Sequence, residues 1–214
     1  MNSNKPRIAI SLRIVKSTTY DETRDALSHD WPKFLEDMEM VPIYIPNNLT
    51  DVKKYVSDLQ INGLILSGGD SLGQDPIRDK TEKILLEFAI SKKIPVLGVC
   101  RGLQLINEYF GGDLTENNTD SHIGSKHILN IVDKKFKKIL NSEKIITNSF
   151  HSNTIHNSNL SEDLKIIAVH EVDNTIEAVS HPTLPIIGVM WHPERNSENF
   201  DMDIMNSLFK KNIF

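Results

Sequence analysis

The chain has 214 residues, 39% of them hydrophobic and 25% charged, with a formal net charge of −5 and a single cysteine. That length is enough for one domain with a sizeable core, spanning residues 1–214. The net negative charge gives nucleic-acid binding no support. No apolar run reaches the length of a membrane span, and residues 1–7 lack the apolar core of a secretory signal. One cysteine excludes an intrachain disulfide framework and fits a reducing compartment, which makes the cytoplasm the expected location.

The predicted elements alternate from the start. Arg7–Leu12 reads as a strand, Asp30–Met38 as a helix, Pro42–Ile45 as a strand and Asp51–Leu59 as a helix. Gly63–Leu66 is an apolar strand that runs into Ser67-Gly68-Gly69-Asp70. A double glycine lets backbone approach a ligand closely, so the Gly69 N–H is a candidate oxyanion donor. The same glycines also fit an ordinary strand-to-loop turn. Lys80–Lys92 reads as the next helix.

Val96–Val99 then reads as a buried strand, and Gly102–Phe110 as a helix with Leu103, Ile106 and Phe110 on its apolar face. Cys100 stands between them, flanked by Gly98 and Gly102. This is the layout of a nucleophile elbow with sulfur in place of oxygen. A helix N-terminus after the thiol favours the reactive thiolate, and the Arg101 N–H is the second candidate oxyanion donor. A buried structural cysteine at the end of a core strand is the alternative.

Beyond this point strands dominate: Ile128–Val132, Ile145–Thr147, Leu164–Val169, Ile176–Val179 and Ile186–Met190, with a closing helix at Glu198–Asn212. Strand–helix alternation in the first half argues a parallel sheet covered on both faces. The last strand ends in His192, and Glu194 follows two residues later. A cysteine hydrolase needs a base that carries the thiol proton and an acid that orients the base. Cys100, His192 and Glu194 supply these three roles. His122 and His127 lie in a polar stretch with no helical pattern to align them, and no metal site is expected there. Lys134, Lys135, Lys137 and Lys138 surround Phe136 and read as a solvated turn or helix face.

Leu66-Ser67-Gly68-Gly69-Asp70, Gly98-Val99-Cys100-Arg101-Gly102-Leu103-Gln104 and Met190-Trp191-His192-Pro193-Glu194 together resemble the class I glutamine amidotransferase-like hydrolases. Within them they resemble the γ-glutamyl hydrolase branch, the peptidase C26-like family. The resemblance runs from the first strand to the last helix. It implies an α/β, single-domain, three-layer α/β/α sandwich with a mostly parallel central sheet, flavodoxin-like in layout. It also implies a Cys100–His192–Glu194 triad, with no cofactor and no metal. Gln104 matches the family glutamine that helps hold the glutamyl substrate. Ser149, Phe150 and His151 fall in the family loop that receives the substrate's α-amino and α-carboxylate groups. Arg101 matches the stand-alone hydrolases, although an exposed residue at a helix start would read the same.

The segment from Arg24 to Trp31, with residues 148–151 and 173–178, resembles one bacterial branch of that family. Its members cleave a γ-glutamyl amide whose leaving side is cytidine diphosphoramidate, in the decoration of capsular and other surface polysaccharide. A diphosphate needs cationic groups near the cleft, for which Arg13 and Arg24 are candidates. A salt bridge within the fold is the alternative for Arg13, and core packing is the better reading of Trp31. The expected partner is a small-molecule γ-glutamyl substrate, not nucleic acid or a membrane. Other readings stay open: a polyamine-derived γ-glutamyl-γ-aminobutyrate substrate, a glutaminase subunit with a synthase partner, or a non-catalytic binding protein.

Overall fold

Acidic caps set several helix starts. Asp51 accepts from the Lys54 N–H, Asp75 from the Ile77 and Arg78 N–H groups, and Asp133 from those of Lys135 and Phe136. Glu198 and Asp201 close a reciprocal capping box. Each such cap contributes about 1 kcal/mol.

The computed structural model describes residues 5–116 and 122–211. In chain order the elements are β1 (Arg7–Ser11), β2 (Arg13–Lys16), β3 (Thr23–Ala26), α1 (Asp30–Asp37), β4 (Val41–Ile45), α2 (Val52–Asp58), β5 (Gly63–Leu66) and α3 (Pro76–Lys92). There follow β6 (Val96–Val99), α4 (Arg101–Tyr109), β7 (Thr115–Glu116), β8 (Ile123–Ile131), α5 (Lys134–Leu140), β9 (Lys144–Phe150) and β10 (Asn153–Thr154). The last four are β11 (Lys165–His170), β12 (Ile176–Ser180), β13 (Ile186–Val189) and α6 (Asn199–Phe209).

A nine-stranded sheet, ordered β4-β1-β5-β6-β13-β12-β11-β8-β9, forms the middle layer. It is mixed: the pairings from β4 across to β13 are parallel, and those from β13 out to β9 are antiparallel. Every residue of β5, β6 and β13 is buried, as strands covered on both faces must be. Successive residues feed opposite cores. Ile8, Ile10, Ile65, Leu97 and Val99 pack with Trp31, Phe34, Phe136, Ile204 and Leu208. Ala9, Leu64, Leu66 and Val96 pack with Val56, Leu85, Leu86, Leu103 and Ile106. This places α1, α5 and α6 on one face and α2, α3 and α4 on the other. Each buried aliphatic or aromatic side chain contributes about 1.5–3 kcal/mol.

Two elements differ from the sequence-based expectation, each for a local cause. The β2–β3 hairpin stands where the sequence predicts loop, because its residues are exposed or half-buried and show no apolar alternation. Helix α3 starts ahead of Lys80, at Pro76, since Asp75 caps it and proline suits a first turn. The lysine run around Phe136 is a face of α5, with Phe136 and Leu140 buried beneath it. Helix α6 is described to Phe209, and the expected end at Asn212 lies outside the described residues.

Candidate active site

Three strand ends meet at one edge of the parallel half. Leu66 of β5 pairs with Gly98 of β6, and Gly98 and Val99 pair with Gly188 and Val189 of β13. This register brings together Ser67-Gly68-Gly69 after β5, Cys100 after β6 and His192 after β13. Open α/β sheets bind ligands at this place, outside the carboxyl ends of their parallel strands.

Cys100 is the hinge between β6 and α4. Its backbone takes φ +51° and ψ −104°, outside the regions a side chain favours. Such a conformation costs on the order of 1–3 kcal/mol. Neighbours hold it in place: the Cys100 N–H donates to the Val189 carbonyl at 2.8 Å, and its carbonyl accepts from the Gln104 N–H at 3.2 Å. A Cβ at Gly102 would collide with the Leu66 carbonyl, so only glycine lets α4 start this close to β5. Cys100 itself is only 6% exposed.

His192 Nδ1 lies 2.8 Å from Glu194 Oε1, and both side chains are buried. The imidazole is pushed up to about 9: burial opposes its charging, but hydrogen bonds to Cys100 and Glu194 and the charges of both outweigh burial. The two strand ends share one backbone neighbour. A Cβ at Gly68 would stand 2.7 Å from His192 Cε1 and 3.5 Å from Cys100 Cβ.

Asn148 on β9 clamps the His192 turn from the other side. Its Oδ1 accepts from the His192 N–H at 2.9 Å, and its Nδ2 donates to the carbonyls of His192 at 2.8 Å and Arg195 at 2.9 Å. Arg78 plays the matching part for the glycine loop. It is 1% exposed, and its Nη2 donates to the carbonyls of Ser67 and Gly68, both at 2.9 Å. Its Nε pairs with Glu82 Oε1 at 2.9 Å. Sequence reasoning placed Asn148 in the family loop without this clamping role and missed Arg78. The Arg78/Glu82 spacing of a helical ion pair was the available signal, hidden by a helix start set too late.

The remaining expected residues divide. Gly69 has φ +122°, a backbone state that favours glycine, and the Arg13 side chain lies across it. Arg13 pairs with Asp70, Nη2 to Oδ1 at 2.6 Å and Nε to Oδ2 at 3.2 Å. Burial works against ionising Asp70, yet Arg13 holds its carboxyl below the ordinary carboxylate range. Arg13 also lines a cleft of about 300 Å³ with Trp31, Gly68, His192, Glu194 and Arg195. Arg101 is not an exposed helix-start residue: its side chain is buried against Asp79 and Glu82. Its N–H belongs to the first turn of α4, where helix donors have no helical acceptor. Trp31 is 2% exposed and packs edge-on against Phe34, as a core residue.

Arg24 does not line the cleft. It pairs with Glu22 at 2.6 Å and with the Tyr20 hydroxyl. It sits opposite Val15, on the hairpin face that Arg13 and Ala26 present to the cleft. Gln104 is buried, its Nε2 3.9 Å from Met190 Sδ. Strand alternation splits the expected glutamyl loop. Phe150 is exposed, with its ring 5.9 Å from His192 and the Arg195 guanidinium 4.8 Å above it. Ser149 points the other way and donates to the His122 carbonyl at 2.6 Å. His151 is buried with His122, His127 and Glu177. No helix aligns those histidines. The pairing of β8 with β9 does so instead, with Glu177 reaching in from β12 beyond β11.

Among the described residues, no helix is long and apolar enough to cross a membrane. The Peptidase C26 family profile matches residues 6–194. The chain is 34% identical over 209 residues to gamma-glutamyl-CDP-amidate hydrolase of Campylobacter jejuni, covering 94% of this chain and 96% of that protein. It is 26% identical over 163 residues to a subunit of the glutamine-hydrolysing GMP synthase of Methanocaldococcus jannaschii, covering 76% of this chain and 80% of that subunit. Its fold matches the crystal structure of a putative GMP synthase subunit from Thermoplasma acidophilum with a TM-score of 0.73 at 20% identity, over 96% of this chain and 92% of that one.

Proposed function

The chain belongs to the Peptidase C26 family of class I glutamine amidotransferase-like hydrolases, and we propose that it hydrolyses γ-glutamyl-CDP-amidate with Cys100 as nucleophile, His192 as acid and base, and Glu194 as the orienting acid. The observation that carries this reading is the buried His192–Glu194 pair, 2.8 Å apart, beside the cysteine elbow. The full-length match to the Campylobacter jejuni hydrolase supports the γ-glutamyl amide as the bond attacked.

With its pKa near 9, His192 is protonated at neutral pH, which favours a thiolate at Cys100. The thiolate attacks the γ-carbonyl, and the N–H groups of Gly69 and Arg101 receive the developing oxyanion. As the C–N bond breaks, His192 gives its proton to the departing nitrogen. The neutral imidazole then takes a proton from water, which attacks the glutamyl thioester. Glutamate leaves, the thiolate re-forms and His192 is again an imidazolium. Glu194 keeps Nδ1 protonated and Nε2 facing the reacting atoms throughout. The whole of residues 1–214 acts as one domain, in a reducing compartment such as the cytoplasm, because the thiol has to stay free.

The leaving side of the substrate occupies the cleft between the β2–β3 hairpin and the His192 turn. Arg195 and Arg13 line it, and Arg24 stands further out on the same hairpin face. The glutamyl head lies toward Gln104 and Phe150. Ser149 and His151 act through the backbone of that segment, since their side chains face away. The deciding experiment is a side-by-side assay of γ-glutamyl-CDP-amidate, glutamine and γ-glutamyl-γ-aminobutyrate. The nucleotide substrate should have the highest kcat/KM. Equal or better turnover of the γ-aminobutyrate compound overturns the nucleotide assignment and leaves the γ-glutamyl hydrolase class standing. The likeness to a GMP synthase subunit keeps a second reading in view. Glutamine turnover that is low alone and rises with a synthase would mark a glutaminase subunit.

A further inference from the structure

Away from the cleft, four side chains meet in the interior of the antiparallel half. His122, His127, His151 and Glu177 offer ligand atoms that all lie within 4.8 Å of one another. None of the four residues is more than 3% exposed. Glu177 Oε1 is 3.5 Å from His127 Nδ1, 3.5 Å from His151 Nε2 and 3.8 Å from His122 Nδ1. All of these inward atoms are buried without a hydrogen-bond partner, as are Glu177 Oε2 and the second nitrogen of His127.

Outer contacts fix which atoms of His151 and His122 point inward. His151 Nδ1 lies 2.9 Å from the Asn153 carbonyl, which only accepts. The neutral His151 therefore carries its proton on Nδ1 and turns the Nε2 lone pair toward Glu177. His122 Nε2 lies 2.8 Å from Asp173 Oδ2, which puts the proton there and the lone pair on Nδ1. Lone pairs facing a carboxylate repel each other unless a cation stands between them. Metal-binding histidines have this same arrangement, with the outer nitrogen donating to a carbonyl or carboxylate. A second grouping of His122, His170 and Asp173 lacks this character. Asp173 there is satisfied by hydrogen bonds with both histidines and Thr175.

We propose that His122 Nδ1, His127, His151 Nε2 and Glu177 bind one zinc ion in a closed structural site. Bonds of about 2.0–2.1 Å to a tetrahedral ion put neighbouring ligand atoms about 3.4 Å apart, close to the 3.5–3.8 Å separations around Glu177 Oε1. Three imidazoles and one carboxylate suit zinc. The protein fills every position of a four-coordinate ion and the site is buried, so it is structural and leaves no place for a reacting water. It ties together β8, the segment after β9 and β12. Asn148 on β9 clamps His192, and the Glu177 carbonyl accepts from Met190 N–H at 2.8 Å, two residues before His192. The ion therefore braces the His192 turn from both flanks.

The test measures metal in the full chain, produced without a histidine tag. Elemental analysis should find about one zinc per chain, and a Cys100→Ala variant should keep it. His127→Ala and Glu177→Gln should lose it. Asp173→Asn, which removes the outer carboxylate on His122, should weaken zinc binding by about 10- to 100-fold. Stripping the wild type with a chelator should lower its Tm, and zinc alone should restore it. That titration stands even where a variant fails to fold. Cobalt in place of zinc should show tetrahedral visible absorption without thiolate charge-transfer bands. Wild-type protein with no stoichiometric zinc and no Tm response to added zinc overturns the site, and so does loss of the zinc in Cys100→Ala.

Discussion

Replacing Glu194 by glutamine tests how the site holds its base. Glu194 Oε1 receives the His192 Nδ1 proton at 2.8 Å, and the pair is buried. A hydrogen bond to a charged partner contributes about 1.5–3 kcal/mol, which is about 10- to 150-fold in rate if it acts wholly in the transition state. The larger sign is in the pH profile. Burial lowers the pKa of His192, while Cys100 and Glu194 raise it to about 9 from the ordinary 6.5. Removing the charge of Glu194 deletes part of what raises it, so the pKa falls toward 6.5. If thiolate and imidazolium form the active pair, kcat/KM declines as His192 loses its proton. The alkaline limb should then sit near pH 9 in the wild type and move to lower pH in Glu194→Gln. The fall should be in kcat more than a rise in KM, because Glu194 acts on the imidazole and not on the substrate. The assay is glutamate release from γ-glutamyl-CDP-amidate across pH, with circular dichroism to confirm folding. A folded Glu194→Gln with wild-type kcat/KM and an unmoved alkaline limb would refute the reasoning and pass the acid role to another carboxylate.

Cys100→Ala should abolish turnover with the fold intact, and iodoacetamide should label Cys100 at neutral pH; activity in the alanine variant would remove the mechanism. Asn148→Ala deletes three neutral hydrogen bonds around the His192 turn. At about 1 kcal/mol each, that is about 3 kcal/mol, or about 6–12 °C in Tm, and an unchanged melting curve would show that the clamp is unimportant. Arg78→Met strips buried Glu82 of one of its two arginine partners, leaving Arg101 alone on it, and leaves two carbonyls of the glycine loop without their donor in the interior. It should cost about 3–5 kcal/mol by chemical denaturation, and a loss under about 1 kcal/mol would count against it. Arg195→Ala and Arg13→Ala should lower kcat/KM for the nucleotide substrate about tenfold, as a phosphate contact of about 1–2 kcal/mol does, and spare glutamine, while Arg24→Ala, outside the cleft lining, should have a smaller effect. Equal losses on both substrates would place these arginines elsewhere than on the leaving group. Stability should also follow His192. Its raised pKa contributes stability fully present below 6.5 and lost as pH rises through about 9, which thermal melts across that window would read.

Much of the site was legible because its chemistry is local in sequence. A strand, a small residue, a thiol and a helix start make an elbow wherever they occur, so Cys100 was readable from residues 96–104. His192 and Glu194 are two residues apart, and the glycine pair follows directly on a buried strand. The alternation of strands and helices likewise announced a covered parallel sheet, because apolar runs buried on both faces have no other home. What the chain alone did not decide depends on which side of a strand a residue takes and on what a distant element supplies. Register along β9 sends Asn148 and Phe150 toward His192, and Ser149 away. Arg78 and Glu82 gain their place beneath the glycine loop only through the docking of α3 on β5. Four residues spread from His122 to Glu177 become one cluster through strand pairing between β8 and β9 and the approach of β12. Periodicity reports a residue's own neighbours. It carries no term for a partner that folding brings from a distant part of the chain.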